Sequence, residues 1–183
     1  SGIIGEVGIN GDPITENEVK SIRAAARASR ATGAAISFHR AGKGAEKHRV
    51  LDLVGEEGGD LSRVILGHSD GIAGDLPFMI ELLDRGATIE FDLLGRVQFN
   101  LVPGNTIMPV AAIPKLIEAG FEDKIVLSQD VCNKYHLKAY GGTGYSFILE
   151  KFLPALRLKG VSEEHIRMMM VENPRRILTL AGP

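Results

Sequence analysis

Five short apolar runs in this chain each carry or lead into a side chain that can bind a metal ion or move a proton. Ile3-Ile4-Gly5-Glu6-Val7 carries Glu6, residues 34–38 lead to His39, and residues 64–67 lead to His68. Residues 88–91 lead to Asp92, and residues 125–129 lead to Asp130. A helical stretch or a long loop separates each run from the next. This is the cadence of a βα series, and parallel α/β sheets and barrels build their active sites at the strand C-termini. Consecutive parallel strands usually lie side by side, so groups at successive strand ends become neighbours.

The spacing predicts a first strand over 2–8 and a loop through Asn10-Gly11-Asp12-Pro13. Thr15 and Glu18 then fit a capping box, threonine at the N-cap and glutamate three residues on. That helix runs through Ala24-Ala25-Ala26-Arg27-Ala28 and stops before Gly33, a C′ residue. A strand follows over 34–39, a helix from near Ala45 to near Gly55, and a strand over 63–68. A third helix runs from Asp75, its N-cap, to Arg85, and the fourth strand covers 87–92. A long loop over 93–106, with Pro103-Gly104-Asn105, leads to a helix over 107–119 and a fifth strand over 124–129. A second long loop, 131–143, precedes a helix over 145–158. A helix capped by Ser162 and a short closing helix over 172–178 end the chain. Loops this long after strands four and five hold function more often than they merely connect.

The 183 residues carry a net charge of −2, with apolar residues at 44%, ample for one core. A near-neutral balance is no footprint for nucleic acid or an anionic membrane, so neither is expected as a partner. No apolar run approaches a membrane span, and no signal peptide opens the chain. Cys132, the only cysteine, has no intrachain partner, which suits a reducing cytosol and a cytoplasmic protein. Length constrains the architecture further. An eight-stranded βα barrel usually needs about 250 residues, and five strands at the usual tilt cannot close one. The chain is therefore either an open sheet or the C-terminal part of a longer protein.

His39 and His68, on successive strand ends, can share one divalent cation with imidazole nitrogens about 2.0–2.1 Å from it. The alternative is two separate polar residues, each hydrogen-bonded locally. Glu6 sits inside an apolar strand, where a carboxylate is costly unless it is paired or ligating. It is either a ligand, with Gly5 and Gly8 leaving space around it, or a glutamate paired with an arginine. Asp130 precedes a loop and not a helix, which weakens an explanation by capping. Asp92 is either a contact behind the ligands or with substrate, or a residue that orders its loop. His136 lies where it could reach a substrate. His48 and His165 read as solvent-facing. Gly141-Gly142-Thr143-Gly144 lacks the Gly-Lys-Ser/Thr ending of a phosphate loop and reads as a flexible connection to a helix start. Met168-Met169-Met170-Val171 reads as packing.

Several of these segments together resemble the phosphotriesterase family of the amidohydrolase superfamily, in order and over essentially the whole chain. They are Gly2-Ile3-Ile4-Gly5-Glu6-Val7-Gly8, Ala24-Ala25-Ala26-Arg27-Ala28 with Thr32-Gly33, and Ile65-Leu66-Gly67-His68-Ser69-Asp70. Glu90-Phe91-Asp92-Leu93-Leu94-Gly95, Leu127-Ser128-Gln129-Asp130-Val131-Cys132, Tyr140-Gly141-Gly142-Thr143-Gly144-Tyr145 and Val171-Glu172-Asn173-Pro174-Arg175 complete the set. The resemblance implies an α/β chain of (β/α)8 TIM-barrel type, of which 1–183 supplies five βα units as one domain, the family's strands 4 to 8. It implies two divalent metal ions in the complete enzyme, zinc foremost. Glu6 then matches the bridging carboxylate, His39 and His68 the ligands of the more exposed ion, and Asp130 the ligand of the buried ion that also accepts a proton from the bridging hydroxide. The implied reaction is hydrolysis of a small-molecule ester, lactone, amide or phosphotriester.

Two departures accompany the likeness. The family's first-strand His-x-His pair is not in this chain, which makes it look like the C-terminal part of the barrel without strands 1 to 3. Leu93 stands where true phosphotriesterases carry a proton-relaying histidine, and Gly71 replaces an acidic partner. Both point away from efficient organophosphate hydrolysis and toward the lactonase-like and phosphotriesterase-related members. The competing class is a catalytically incompetent fragment or a non-catalytic module that binds metal or a small ligand. A homodimer, or pairing with the missing N-terminal segment, is the expected way to cover the open sheet edges.

Overall fold

A computed structural model describes residues 2–96 and 107–181. The Pro103-Gly104-Asn105 part of the expected long loop lies outside the described residues. The strands are β1 (Ile3–Gly8), β2 (Ala35–His39), β3 (Val64–Leu66), β4 (Thr88–Phe91) and β5 (Ile125–Leu127). They form one sheet in the order β1-β2-β3-β4-β5, parallel in each registered pair. The helices are α1 (Glu16–Thr32), α2 (Glu46–Glu56), α3 (Leu76–Asp84), α4 (Ile107–Glu118), α5 (Leu153–Leu158), α6 (Glu163–Arg167) and α7 (Asn173–Leu178). This is the expected α/β chain of (β/α)8 type with five βα units. The described residues fall into two compact units, one of residues 1–67, 81–89 and 174–183, the other of 68–80 and 90–173.

In the first unit the inward faces of β2 and β3 are fully buried through Ile36, Phe38, Val64 and Leu66, as expected of strands covered on both sides. Ile22 and Ala26 of α1 and Val50, Leu51 and Val54 of α2 complete this core. The capping box forms as the sequence predicts. Thr15 Oγ1 accepts from the Glu18 N–H at 3.3 Å, and Glu18 Oε2 accepts from the Thr15 N–H at 2.8 Å. The Asn10 and Gly11 N–H groups donate to the other oxygen, Oε1. Backbone donors, Thr15 first, hold this carboxyl down at about 2. The helix ends at Gly33 in the left-handed conformation.

Strand β1 departs from a plain ladder. Ile4 pairs with Ile36 and Val7 with Phe38, so two residues, Gly5 and Glu6, face the single residue Ser37. That is a β-bulge, which re-aims side chains and is common beside functional sites. Gly5 makes it feasible, because a Cβ there would stand 2.5 Å from the Ser37 carbonyl oxygen. The ladder continues past the ends of the strands, with the Ile9 N–H bonded to the His39 carbonyl at 3.2 Å and the Gly67 N–H to the Phe38 carbonyl at 3.0 Å.

Arg63 is buried and ties the end of the chain to this unit. Its guanidinium donates to the carbonyls of Gly33 (2.9 Å), Arg176 (3.2 Å) and Thr179 (2.6 Å). His48, expected to be solvated, is instead half-buried. Its Nε2 lies 3.3 Å from Glu81 Oε2, and its carbonyl accepts from Arg85. A charged local sequence misled here because the partners, Glu81 of α3 and Arg85 just after it, are distant in the chain.

In the second unit the core gathers Met79, Phe91, Leu94, Ile113, Leu116, Ile125, Phe152, Leu156 and Met169. Asp75 Oδ1 accepts from the Phe78 N–H as the expected N-cap of α3. The helix predicted from 145 begins two residues later and opens with a wide π turn, Ile148–Phe152. A second π turn, Met168–Glu172, carries the methionine run, in which Met169 is buried while Val171 is exposed. His165 lies half-buried on α6, just inside the Ser162 cap. No helix among the described residues is long and apolar enough to cross a membrane.

Replacing Arg63 by methionine removes three charge-assisted bonds and leaves their carbonyls to water. It is expected to lower unfolding free energy by about 2–3 kcal/mol. Urea denaturation, with hydrogen exchange at residues 174–181, measures this, and unchanged exchange there would contradict the role given to Arg63.

Candidate metal centre

The bulge turns Glu6 toward the end of β2. Glu6 Oε1 stands 3.2 Å from His39 Nδ1, and both side chains keep solvent access. His39 closes β2, and the turn after it is unusually shaped. Arg40, Ala41, Gly42 and Gly44 all have positive φ. The buried Lys47 ammonium stitches this turn by donating to the Arg40 and Gly42 carbonyls. Burial, with the Arg40 charge adding to it, lowers Lys47 to about 8. A lysine inside a helix thus sets the exit path of the strand that carries His39.

His68 follows β3 with left-handed backbone, φ 54°. Histidine and aspartate are among the non-glycine residues that adopt this region most readily. Asp92, at the end of β4, holds His68 twice. Its carboxylate accepts from the His68 backbone N–H at 3.0–3.1 Å and from ring Nδ1 at 2.7 Å. With Nδ1 donating to a carboxylate, Nε2 is left as the lone-pair nitrogen, the arrangement that orients and strengthens a metal-binding imidazole. Of the two readings of Asp92, the structure supports the contact behind the histidine.

Asp70 supports Asp92 in turn. Its Oδ2 accepts from the backbone N–H of Asp92 (2.9 Å) and of Leu93 (3.2 Å). Burial, with the Asp92 charge beside it, raises the Asp70 carboxyl to about 7. Sequence reasoning did not single out Asp70 for a role. The available signal was an acidic residue two positions after a strand-end histidine, on a turn too short for a helix cap.

Two donors on one tetrahedral ion sit roughly 3.3 Å apart, given bond lengths of about 2.0–2.1 Å. The Glu6–His39 spacing of 3.2 Å matches that. Two imidazoles and a carboxylate are the donor chemistry of zinc, manganese, cobalt or iron. Of the three residues expected to share an ion, Glu6 and His39 lie side by side in the first unit, and His68 stands in the second.

Asp130 is not a member of that trio. It follows β5 with left-handed backbone, φ 44°, and its Oδ2 pairs with Arg96. Arg96 Nη2 also donates to the Asp130 carbonyl at 2.8 Å and contacts Cys132 Sγ at 3.0 Å. Sequence reasoning passed over Arg96, since an arginine in a loop carries no spacing signal. His136 is buried in the loop after Asp130. Gly142 packs against it so closely that a Cβ would stand 2.2 Å from the His136 carbonyl. The glycine run expected to be a flexible connection is therefore a close-packed contact at this position.

Parallel βα units with imidazole and carboxylate side chains at the strand ends define an α/β chain of the (β/α)8 type. The chain belongs to the phosphotriesterase family, whose profile matches residues 1–178. It is 37% identical to the N-acetyltaurine hydrolase of Dictyostelium discoideum, over 98% of this chain and 50% of that protein. The phosphotriesterase homology protein of Escherichia coli, solved with phosphate in its active site, superposes with a TM-score of 0.88 at 34% identity, covering 98% of this chain and 60% of that one. A lactonase from Listeria monocytogenes superposes at 0.84 with 31% identity, over 96% of this chain and 53% of that one. The chain spans about half the length of the curated relatives it matches.

The raised Asp70 carboxyl has a definite pH signature. Its folded pKa lies above the ordinary 3.8, so its contribution is fully present below pH 3.8 and is lost as pH rises to about 7. Wild-type stability relative to Asp70→Asn is therefore expected to fall between pH 4 and 7 in metal-free protein. Denaturation midpoints across that range measure it, and a flat difference would contradict the assignment.

Proposed function

We propose that this chain is the C-terminal portion of a metal-dependent hydrolase barrel acting on a small-molecule ester, lactone or amide. What supports the proposal is the pairing of Glu6 with His39 in the first unit and the hold of Asp92 on His68 Nδ1 in the second. Family membership supports a water-activating metal site, and the named activities of relatives support acyl chemistry. Glu6, His39 and His68 would hold divalent metal, zinc foremost, and the complete enzyme would hold two ions. Bound metal polarises the scissile carbonyl and lowers the pKa of water.

Asp130 would accept the proton of the attacking water and would be a ligand of the second ion in the complete enzyme. Arg96 aims that carboxylate through its ion pair and its bond to the Asp130 carbonyl. Asp92, carried on Asp70, keeps His68 in the correct tautomer. Leu93 and Gly71, where phosphotriesterases have groups that relay protons, favour acyl substrates over phosphotriesters. The N-acetyltaurine hydrolase and lactonase relatives agree with that preference.

The test uses the full-length protein that contains this chain. Removing metal with a chelator is expected to stop hydrolysis of N-acyl amides or lactones, and zinc, manganese or cobalt is expected to restore it. His39→Ala and His68→Ala are expected to lose bound metal, as measured by elemental analysis. Asp130→Asn is expected to lower kcat by about 10²- to 10⁴-fold with an unchanged unfolding midpoint. Wild-type kcat in Asp130→Asn with metal bound would remove Asp130 as the base. A metal-loaded protein that turns over no substrate of these classes would leave the non-catalytic reading.

A further inference from the structure

Helix α2 opens with two charged residues, and each bonds to the chain that leaves a strand. Glu46 Oε2 accepts from the Ile14 N–H at 2.9 Å, which ties down the loop after β1. Lys47 is 4% exposed, and its ammonium donates to the Arg40 and Gly42 carbonyls, which ties down the turn after β2. All of these residues belong to the first unit, as do Glu6 and His39. A cation buried on neutral acceptors is costly, and an apolar side chain would fill the same volume without that cost. The lysine therefore calls for a role besides packing.

The turn it holds is not self-supporting. Arg40, Ala41 and Gly42 have φ of 66°, 54° and 78°, three successive residues in the left-handed region. Neither arginine nor alanine favours that region, and only glycine enters it without strain. Such a backbone persists where its surroundings overdetermine it. Here the surroundings are the two lysine bonds, one at each end of the left-handed run, and the Gly42 N–H on the Ile9 carbonyl at 3.0 Å. The Ile9 N–H in turn donates to the His39 carbonyl at 3.2 Å. The turn, His39 and the end of β1 are thus closed into one network. Glu6, on the strand that runs into Ile9, stands 3.2 Å from His39 Nδ1. Releasing the turn loosens the backbone of His39 from the strand that carries Glu6.

We propose that Lys47 is a positioning residue for the metal centre: by clamping the left-handed turn it holds His39 at ligand distance from Glu6, and so sets the affinity for the ion those two residues share. This rests on the reading of Glu6 and His39 as metal ligands. The sign of the effect sets it apart from simple electrostatics. A buried cation near a divalent ion repels it, so a lysine acting through its charge alone would weaken metal binding, and its removal would tighten it. A lysine acting through the turn does the opposite.

Titration of the metal-free full-length protein with zinc, in competition with a chromophoric chelator, reads the affinity. Lys47→Met keeps the reach of the side chain and loses its donors. It is expected to weaken zinc binding by roughly 10- to 100-fold, the range for groups that orient metal ligands. Lys47→Gln, which keeps a donor for one carbonyl, is expected to weaken it less. Leu53→Ala, in the buried core on the same helix, is the control for lost stability and is expected to leave zinc affinity unchanged. Hydrogen exchange at the Ile9 and Gly42 amides, measured without metal, is expected to speed up more in Lys47→Met than in Leu53→Ala. Unchanged or tighter zinc binding in Lys47→Met, or an equal loss in Leu53→Ala, would overturn the positioning role and leave the metal centre standing. If Lys47→Met does not fold, Lys47→Gln against Leu53→Ala decides on the same terms. A wild-type protein that takes up no zinc would overturn the metal reading and this proposal with it.

Discussion

The carboxylate of Asp92 is the contact on which the candidate site depends. It binds the backbone N–H and the ring of His68 together, so one group fixes where the residue sits and which nitrogen it offers. A single hydrogen bond to the ring would leave the imidazole free to swing with its backbone. Asp70 extends the device by accepting from the Asp92 and Leu93 amides. Placing a second acid behind the first is costly. The cost appears as an Asp70 carboxyl raised to about 7, because burial and a neighbouring negative charge both resist its ionisation.

The other ligands are positioned by backbone geometry. The bulge in β1 places two residues opposite Ser37 and so presents Glu6 at the end of β2. The turn after His39 is held by a buried lysine that donates to two of its carbonyls. His68 and Asp130 stand on left-handed backbone, a conformation that orients a side chain away from the strand direction. Local departures from ideal geometry persist where surrounding contacts overdetermine them, and they cluster at functional sites.

The loop between Asp130 and α5 changes meaning once its packing is known. Read as a string, it has turn residues and glycines. In space Gly142 is pressed onto the His136 carbonyl. The His136 ring is buried instead of facing water.

The sequence by itself determined the βα cadence, the α/β class, the capping box at Thr15, the N-cap at Asp75 and the chemistry of the strand ends. These are legible because periodicity and caps act over a few residues, and because a charged group at the end of an apolar strand stands out against its neighbours. The motif set also identified the family. Tertiary structure alone decided that Asp92 clasps His68, that Asp70 lies beneath it, that Arg96 holds Asp130 and that His48 is paired. Each of these joins residues 22 to 37 positions apart in the chain, and no local rule spans such a gap. The β1 bulge was hidden for a different reason. A bulge is a mismatch between two strands, and its cause, the close approach of Gly5 to Ser37, exists only when both are in register.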